Sequence, residues 1–196
     1  MTFSPLILAF DTSGPHVSAA LLRGDNVVAL ISEDMKRGQA ERLMPLLQEV
    51  LAEADTTFAD LDAIGVGVGP GNFTGIRISV SAARGLALGL AIPAVGVSAF
   101  AATSLDAATP HIAMVPAPRD QAYVLGEGYP TPKLVPADDL DANLIRPLVD
   151  PATQVRNIAR IAATQFDQNP PRPAPLYIKP ADAAPPRDPA PVILDG

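Results

Sequence analysis

The sequence contains no cysteine and no tryptophan. Without thiols there is no disulfide, no thiolate metal site and no cysteine nucleophile. Aromatic residues make up only 5% of the chain, so a core must rest on Ala, Val, Leu and Ile. Histidine occurs twice, at His16 and His111, and these are far apart in the chain. No His-x-x-x-His pair exists to hold a zinc ion, and the two residues read as a turn position and a strand start. Basic residues are few as well: 14 Lys and Arg stand against 21 Asp and Glu, for a net charge of -7. They are scattered and form no basic stripe of the kind that grips nucleic acid. Any service to a nucleic acid is therefore expected to run through a partner. The apolar run Leu6-Ile7-Leu8-Ala9-Phe10 is too short for a signal-peptide core or a membrane span, and no basic residue precedes it. It reads as a buried strand, and the expectation is a soluble cytoplasmic protein with no membrane association.

What is present is a strongly patterned first half. Residues 6–10, 17–22 and 27–31 are apolar segments separated by Asp11-Thr12-Ser13-Gly14-Pro15 and Arg23-Gly24-Asp25-Asn26, which predicts antiparallel hairpins. Ala40, Leu43, Met44, Leu47, Val50, Leu51 and Ala54 recur at helical spacing and predict a helix over 39–54. Pro45 should kink or loosen it, having no N–H to donate. A strand over 63–68 runs into a glycine-rich loop, followed by a helix over 76–90 carrying Ser79, Ser81, Ala82, Ala83, Gly85, Ala87 and Gly89. Residues 93–97 form a strand, and Ser98 caps a third helix. Three strands followed by alternating helices and strands give an α/β fold, a mixed sheet covered by helices. This order matches one lobe of the actin-like (ASKHA, ribonuclease H-like) fold.

The second half is weaker in pattern. Residues 112–115 and 122–125 pair as a hairpin around Pro116-Ala117-Pro118-Arg119-Asp120. Asp150-Pro151 is a helix start, Asp as N-cap and Pro at the first helical position, and Val155, Ile158, Ala162 and Phe166 continue it as a stripe. Nine of the 22 prolines fall in residues 170–196, so that stretch is expected to be extended or partly disordered rather than helix or central strand. The expected organisation is a lobe over 1–106, a small and degenerate lobe over 107–169, and a proline-rich tail over 170–196.

Two loops are candidate anion sites. Asp11, Thr12 and Ser13 lie at the tip of the first hairpin, where an actin-like ATPase keeps an acidic residue near metal-bound phosphate; the same residues also suit a plain turn. Gly69, Gly71, Thr74 and Gly75 lie between a strand and a helix N-terminus, where free N–H groups and the helix dipole favour anions. Glycine is equally what a tight strand-to-helix connection needs. No Lys-Ser/Thr pair follows, so this is no Walker A loop, and the glycine spacing fails the dinucleotide fingerprint. No catalytic residue and no metal ligand stand out, and no cofactor is expected. The small and apolar faces of the two long helices either cover the chain's own sheet or meet a partner helix. The interface candidates are Leu43, Leu47, Val50, Ile76, Ser79, Val80, Ala83 and Leu86.

The stretch over 67–87, with Gly69-Pro70-Gly71-Asn72-Phe73-Thr74-Gly75-Ile76-Arg77 at its centre, resembles the signature of the bacterial TsaB (YeaZ) family, a glycoprotease-like group. Ile7-Leu8-Ala9-Phe10-Asp11-Thr12-Ser13, Gln39-Ala40-Glu41-Arg42-Leu43, Ile92-Pro93-Ala94-Val95-Gly96 and Tyr177-Ile178-Lys179-Pro180 fit it too. The resemblance is nearly continuous over 6–106 and patchy afterwards. It implies a two-lobe actin-like fold. It also implies a heterodimer with the larger TsaD paralogue, which transfers a threonylcarbamoyl group to adenosine in ANN-decoding tRNAs. A small ATPase, TsaE, joins the pair. The implied role here is a scaffold and activator, inactive alone, that meets tRNA only through the complex and can form a homodimer when alone. Where the paralogue has its metal-binding His pair, this chain has Gln39 and no second His. The second-lobe turn, often Asp-Ala-Arg in the family, reads Pro116-Ala117-Pro118-Arg119. A small actin-like kinase is the alternative reading, with a metallopeptidase further off.

Overall fold

The computed structural model describes residues 4–178. Lys179-Pro180 and the rest of the tail lie outside the described residues. Strands β1 (Leu6–Asp11), β2 (His16–Arg23) and β3 (Asn26–Asp34) form an antiparallel meander. Helix α1 (Gln39–Glu53), strand β4 (Ala63–Gly67), helix α2 (Phe73–Leu90), strand β5 (Ala94–Val97) and the short helix α3 (Ala99–Ser104) follow. β4 lies parallel to β1 and β5 parallel to β4, so the sheet runs β3-β2-β1-β4-β5. The element order is the one the sequence predicts, and the fold is the α/β, actin-like class.

Strand alternation sends two sets of side chains to two faces. Leu6, Leu8, Phe10, Val17, Ala19 and Leu21 point to one side, where α1 and α2 cover them. Leu43, Leu46, Leu47, Val50 and Leu51 are the buried stripe of α1, each contributing about 1.5–3 kcal/mol of burial before entropy is counted. Pro45 sits on the exposed side of α1, and the helix continues through it as one element.

Ile7, Ala9, Ala20 and Leu22 point to the opposite side, and what covers them comes from late in the chain. Helix α4 (Pro151–Gln165) lays Val155, Ile158, Ala159 and Ala162 across that face. Gly65 makes the close approach possible: a Cβ there would lie 3.0 Å from the Ala162 methyl and 3.2 Å from Ile158. The helix that the sequence places in the 107–169 segment is thus packed on the first sheet.

The rest of that segment builds a second sheet. Strands β6 (Ile112–Ala117), β7 (Gln121–Gly126), β8 (Tyr129–Pro136) and β9 (Ile145–Pro147) are ordered β8-β7-β6-β9, with β9 parallel to β6. The predicted β6–β7 hairpin is present. β8 and β9 go beyond the sequence expectation; β8 carries Pro130, Pro132 and Pro136 and occupies an edge, the place in a sheet that tolerates proline. Phe100 of α3 packs with Ala113 and Val115, joining the second sheet to the first layer. Helix α4 (Pro151–Gln165) starts as expected, with the Asp150 carboxylate accepting from the Thr153 N–H at 3.0 Å. After α4 the chain runs back across the first sheet, where the Leu176 N–H donates to the Val68 carbonyl at 2.8 Å.

Candidate functional site: a closed anion loop and an open helix face

The two candidate anion loops meet, and they close on each other. Asp11 is the last residue of β1 and is fully buried. Its Oδ1 accepts the Ser13 N–H at 3.1 Å. Its Oδ2 accepts from Ser13 Oγ at 2.9 Å and from Gln154 Nε2 at 3.1 Å, and lies 2.9 Å from His16 Nε2. With its proton on Nε2 the imidazole is the fourth donor to a group that has about four lone-pair sites. The carboxylate that would face a metal-bound phosphate in an ATPase is occupied by the chain's own donors.

The glycine loop is packed just as tightly. A Cβ on Gly67 would fall 2.1 Å from Asp11 Oδ1, one on Gly71 2.3 Å from the Ser13 carbonyl oxygen, and one on Gly75 1.9 Å from the Thr12 carbonyl oxygen. Thr12 Oγ1 donates to the Gly75 carbonyl at 2.6 Å, and the Asn72 N–H donates to the Ser13 carbonyl at 2.6 Å. Asn72 caps α2, its side chain accepting the Gly75 N–H at 2.9 Å. Gly69 takes a φ of 91°, a conformation glycine adopts without strain, and its carbonyl accepts the Ala99 N–H. Thr74 and Gly71 are exposed. The N–H groups of Asn72 and Gly75, two of those that would cradle an anion, are bonded inside the protein.

Two residues to which the sequence reading gave no site role complete this lock. His16 opens β2 and is buried against Asp11. Gln154 arrives on α4, whose buried face also carries Asn157 among Val155, Ile158, Ala159 and Ala162; a polar residue beside a mostly apolar helix stripe is the signal that marks it. Gln39 Nε2 donates to the carbonyls of Gly14 and His16 at 2.7 and 2.9 Å, fixing the hairpin tip to the start of α1. Among the described residues, no group of three or more His, Asp or Glu is assembled to hold a metal, and no helix is long and apolar enough to cross a membrane.

The interface candidates are placed differently from the sequence expectation. Leu43, Leu47, Val50, Ile76, Ser79, Val80 and Ala83 are buried, and Leu86 is half-buried against the same core. Ser79 Oγ donates to the Gly67 carbonyl at 3.2 Å. The chain's own sheet takes this stripe, because five exposed strands need an apolar cover. What α2 turns outward is another face: Phe73, Arg77, Ser81, Arg84, Gly85 and Leu88, spaced one helical turn apart. Leu88 is 83% exposed, and a Cβ on Gly85 or Gly89 would meet nothing within 4 Å. At the N-terminal end of this face the Arg77 guanidinium lies 3.8 Å from the Phe73 ring centroid and donates from Nε to Tyr177 Oη at 2.9 Å. On α1 the large hydrophobic side chain that is exposed is Met44.

A family model for "TsaD: tRNA N6-adenosine threonylcarbamoyltransferase" matches residues 30–131. The tRNA threonylcarbamoyladenosine biosynthesis protein TsaB of Escherichia coli (strain K12) is 41% identical over 92 residues, 47% of this chain and 39% of that protein. The TsaB of Bacillus subtilis (strain 168) is 42% identical over 94 residues, 48% of this chain and 41% of its own length. The chain thus spans less than half the length of these two curated relatives. An uncharacterized protein of Mycobacterium tuberculosis (strain H37Rv) is similar over almost its whole length, 32% identical over 200 residues covering 91% of this chain and 94% of that one. In structure the chain is similar to a Pseudomonas aeruginosa protein described as similar to peptidase YeaZ (TM-score 0.71, 23% identity, 89% of this chain and 100% of that one). It is also similar to YeaZ from Pseudomonas aeruginosa (TM-score 0.66, 24% identity, 88% and 99%).

Proposed function

Because the chain belongs to the TsaB (YeaZ) family, we propose that it is a non-catalytic partner subunit in the formation of threonylcarbamoyladenosine in tRNA, binding a TsaD-like paralogue. The observation that carries this reading is the closed anion site. Asp11 and the glycine loop, the parts that an actin-like enzyme turns toward phosphate, are hydrogen-bonded and packed against each other. A TsaE-like ATPase joins the pair, and tRNA is met through the complex, in keeping with a net charge of -7.

The partner surface in this reading is the outward face of α2 with Met44 of α1 beside it. Small residues at Ser81, Gly85 and Gly89 let a helix come near, Leu88 offers exposed apolar area to bury, and Phe73 and Arg77 are side chains of types enriched at interfaces. The same face can pair with a second copy of the chain when the paralogue is absent.

The test is co-expression with a TsaD-like paralogue, followed by co-purification and mass spectrometry of tRNA nucleosides. Leu88→Arg should leave the fold intact and weaken paralogue binding by at least about tenfold, since an unpaired charge in a desolvated contact costs several kcal/mol. Leu47→Arg, at a fully buried position, should unfold the chain. A folded Leu88→Arg chain with unchanged affinity places the interface elsewhere.

A further inference from the structure

One concavity of about 900 Å³ lies between the C-terminal half of α2 and the segment after α4. Apolar Leu88, Ile92 and Phe166 line it together with Gly85 and two guanidinium groups, Arg84 and Arg172. We propose that this groove is the docking site for the chain's own residues Val192-Ile193-Leu194-Asp195, which strap the outer face of α2.

Three observations select this occupant. Within residues 179–196, Val192, Ile193 and Leu194 are the only branched aliphatic residues, gathered behind a run of Pro, Ala and Asp with the single Arg187. An apolar triplet gains by leaving water for an apolar groove, and the remainder of that stretch offers nothing comparable. Asp195 follows directly, and the groove supplies Arg84 and Arg172 for a carboxylate, against the single acid Asp167.

The third observation is reach. The described chain stops at Ile178, beside Tyr177, whose hydroxyl is held by Arg77 in the second turn of α2. Arg77 to Leu88 along the helix is roughly 16 Å at 1.5 Å per residue. Residues 179–191 span about 40 Å if extended at 3.1 Å per residue. The connection is more than twice the distance to be covered, which leaves room for the chain to reverse. Its prolines restrict the conformations that docking must give up. A tethered ligand of this length acts at an effective concentration on the order of millimolar, so even a weak contact is filled.

The consequence rests on the reading that the outer α2 face receives the paralogue. Leu88 and Gly85 belong both to that face and to the groove, so the strap and the partner compete. The tail then sets a threshold that the paralogue must exceed.

The absence of cysteine gives a clean test. In the full chain, Gly85→Cys with Gly196→Cys places one thiol beside the groove and one beyond the docking residues, leaving every proposed contact in place. Gly85 has open space around it, so the substitution fits. Under oxidised glutathione, the intramolecular disulfide should form at least about tenfold faster than in the same pair carrying Ile193→Asp, whose tether is identical. The rate should not change on dilution. Equal rates with and without Ile193→Asp overturn the proposal. A dimer cross-linked by Gly85→Cys alone whose yield is unchanged by Ile193→Asp does so too, because a second copy then takes the face without displacing the tail. Neither readout needs the paralogue, so failure of the partner assignment is distinguishable. With docking established, Ile193→Asp should tighten paralogue binding by about three- to tenfold, the amount by which a docked fraction of 70–90% would hold it back; unchanged affinity overturns the competition.

Discussion

Gln154 Nε2 lies 3.1 Å from Asp11 Oδ2, joining residues 143 positions apart. It links the tip of the first hairpin to the helix that covers the back of the same sheet. The contact matters because Asp11 is fully buried. A buried carboxylate needs all its donors, and one of the four here is brought by α4, far along the chain.

Gln154→Leu should therefore destabilise the chain by about 1–3 kcal/mol, the cost of leaving part of a buried acceptor unsatisfied. His16→Leu should cost a similar amount. The two losses should not add, since both substitutions strip the same carboxylate oxygen. Urea unfolding of the single and double variants measures this. Strict additivity would show that the two donors act independently of Asp11.

Much of this was legible in the sequence. Apolar runs bounded by turn residues placed β1 to β5, and the period-3.6 stripe of Leu43, Leu47 and Val50 placed α1, because these signals are local in the sequence. The location of α4 was not legible. Val155, Ile158 and Ala162 announce a helix with one apolar face, but periodicity does not say which sheet that face meets. Gly65, whose missing side chain makes the room, carries no such message alone. β8 was hidden by Pro130 and Pro132, which read as loop until an edge position is known. The site was half legible: Asp11 and the glycine loop stood out as special, yet open and closed loops have the same composition. Only the 1.9 to 2.3 Å clearances show that the loops fill each other's space. The interface candidates fell on the apolar stripe because sequence shows what is apolar and not what is already covered.

Gly75 and Gly85 should respond oppositely to the same change. Gly75→Ala drives a methyl into the Thr12 carbonyl oxygen, so the two loops must separate; overpacking of this kind costs about 1–3 kcal/mol. Gly85→Ala meets nothing within 4 Å and removes a mid-helix glycine, stabilising the fold by roughly 0.5–1 kcal/mol. Thermal or urea denaturation distinguishes them. A Gly75→Ala chain as stable as the parent would mean that the loops are free to part.

The Asp150 cap should give a pH-dependent contribution. Its carboxyl is held below the ordinary carboxylate range, chiefly by the hydrogen bond from the Thr153 backbone N–H. A depressed folded-state pKa means that the contribution is present above the unfolded pKa and is lost as pH falls through the folded one. Asp150→Ala should cost about 1 kcal/mol at neutral pH, and the gap between variant and parent should narrow as the solution is acidified below the usual carboxylate range. Asp150→Asn, which can still accept the hydrogen bond, should retain most of the stability and lose the pH dependence. A gap that stays constant down to acid pH would show that the charge on Asp150 contributes nothing.

ATP should bind weakly or not at all. For a γ-phosphate and its metal to enter beside Asp11, the carboxylate must release donors from Ser13, His16 and Gln154, and the glycine loop must lift off the Thr12 and Ser13 carbonyls. Each abandoned hydrogen bond costs about 1 kcal/mol or more when its partners stay buried, and the loop contacts add to that. The turn between β6 and β7, Pro118-Arg119-Asp120, offers an exposed Asp120 at φ 54° in place of a second buried acidic loop. Titration calorimetry with ATP and magnesium should show no heat of binding at tens of micromolar nucleotide. A dissociation constant near ~1 μM, about 8 kcal/mol of binding, would mean that the site opens readily and would favour a kinase-like role. Substituting Gln154→Leu sharpens the test, because removing one internal donor makes Asp11 easier to recruit. If ATP binds neither the parent nor this variant, closure rests on the packed glycine loop; if it binds the variant alone, Gln154 is the residue that keeps the site shut.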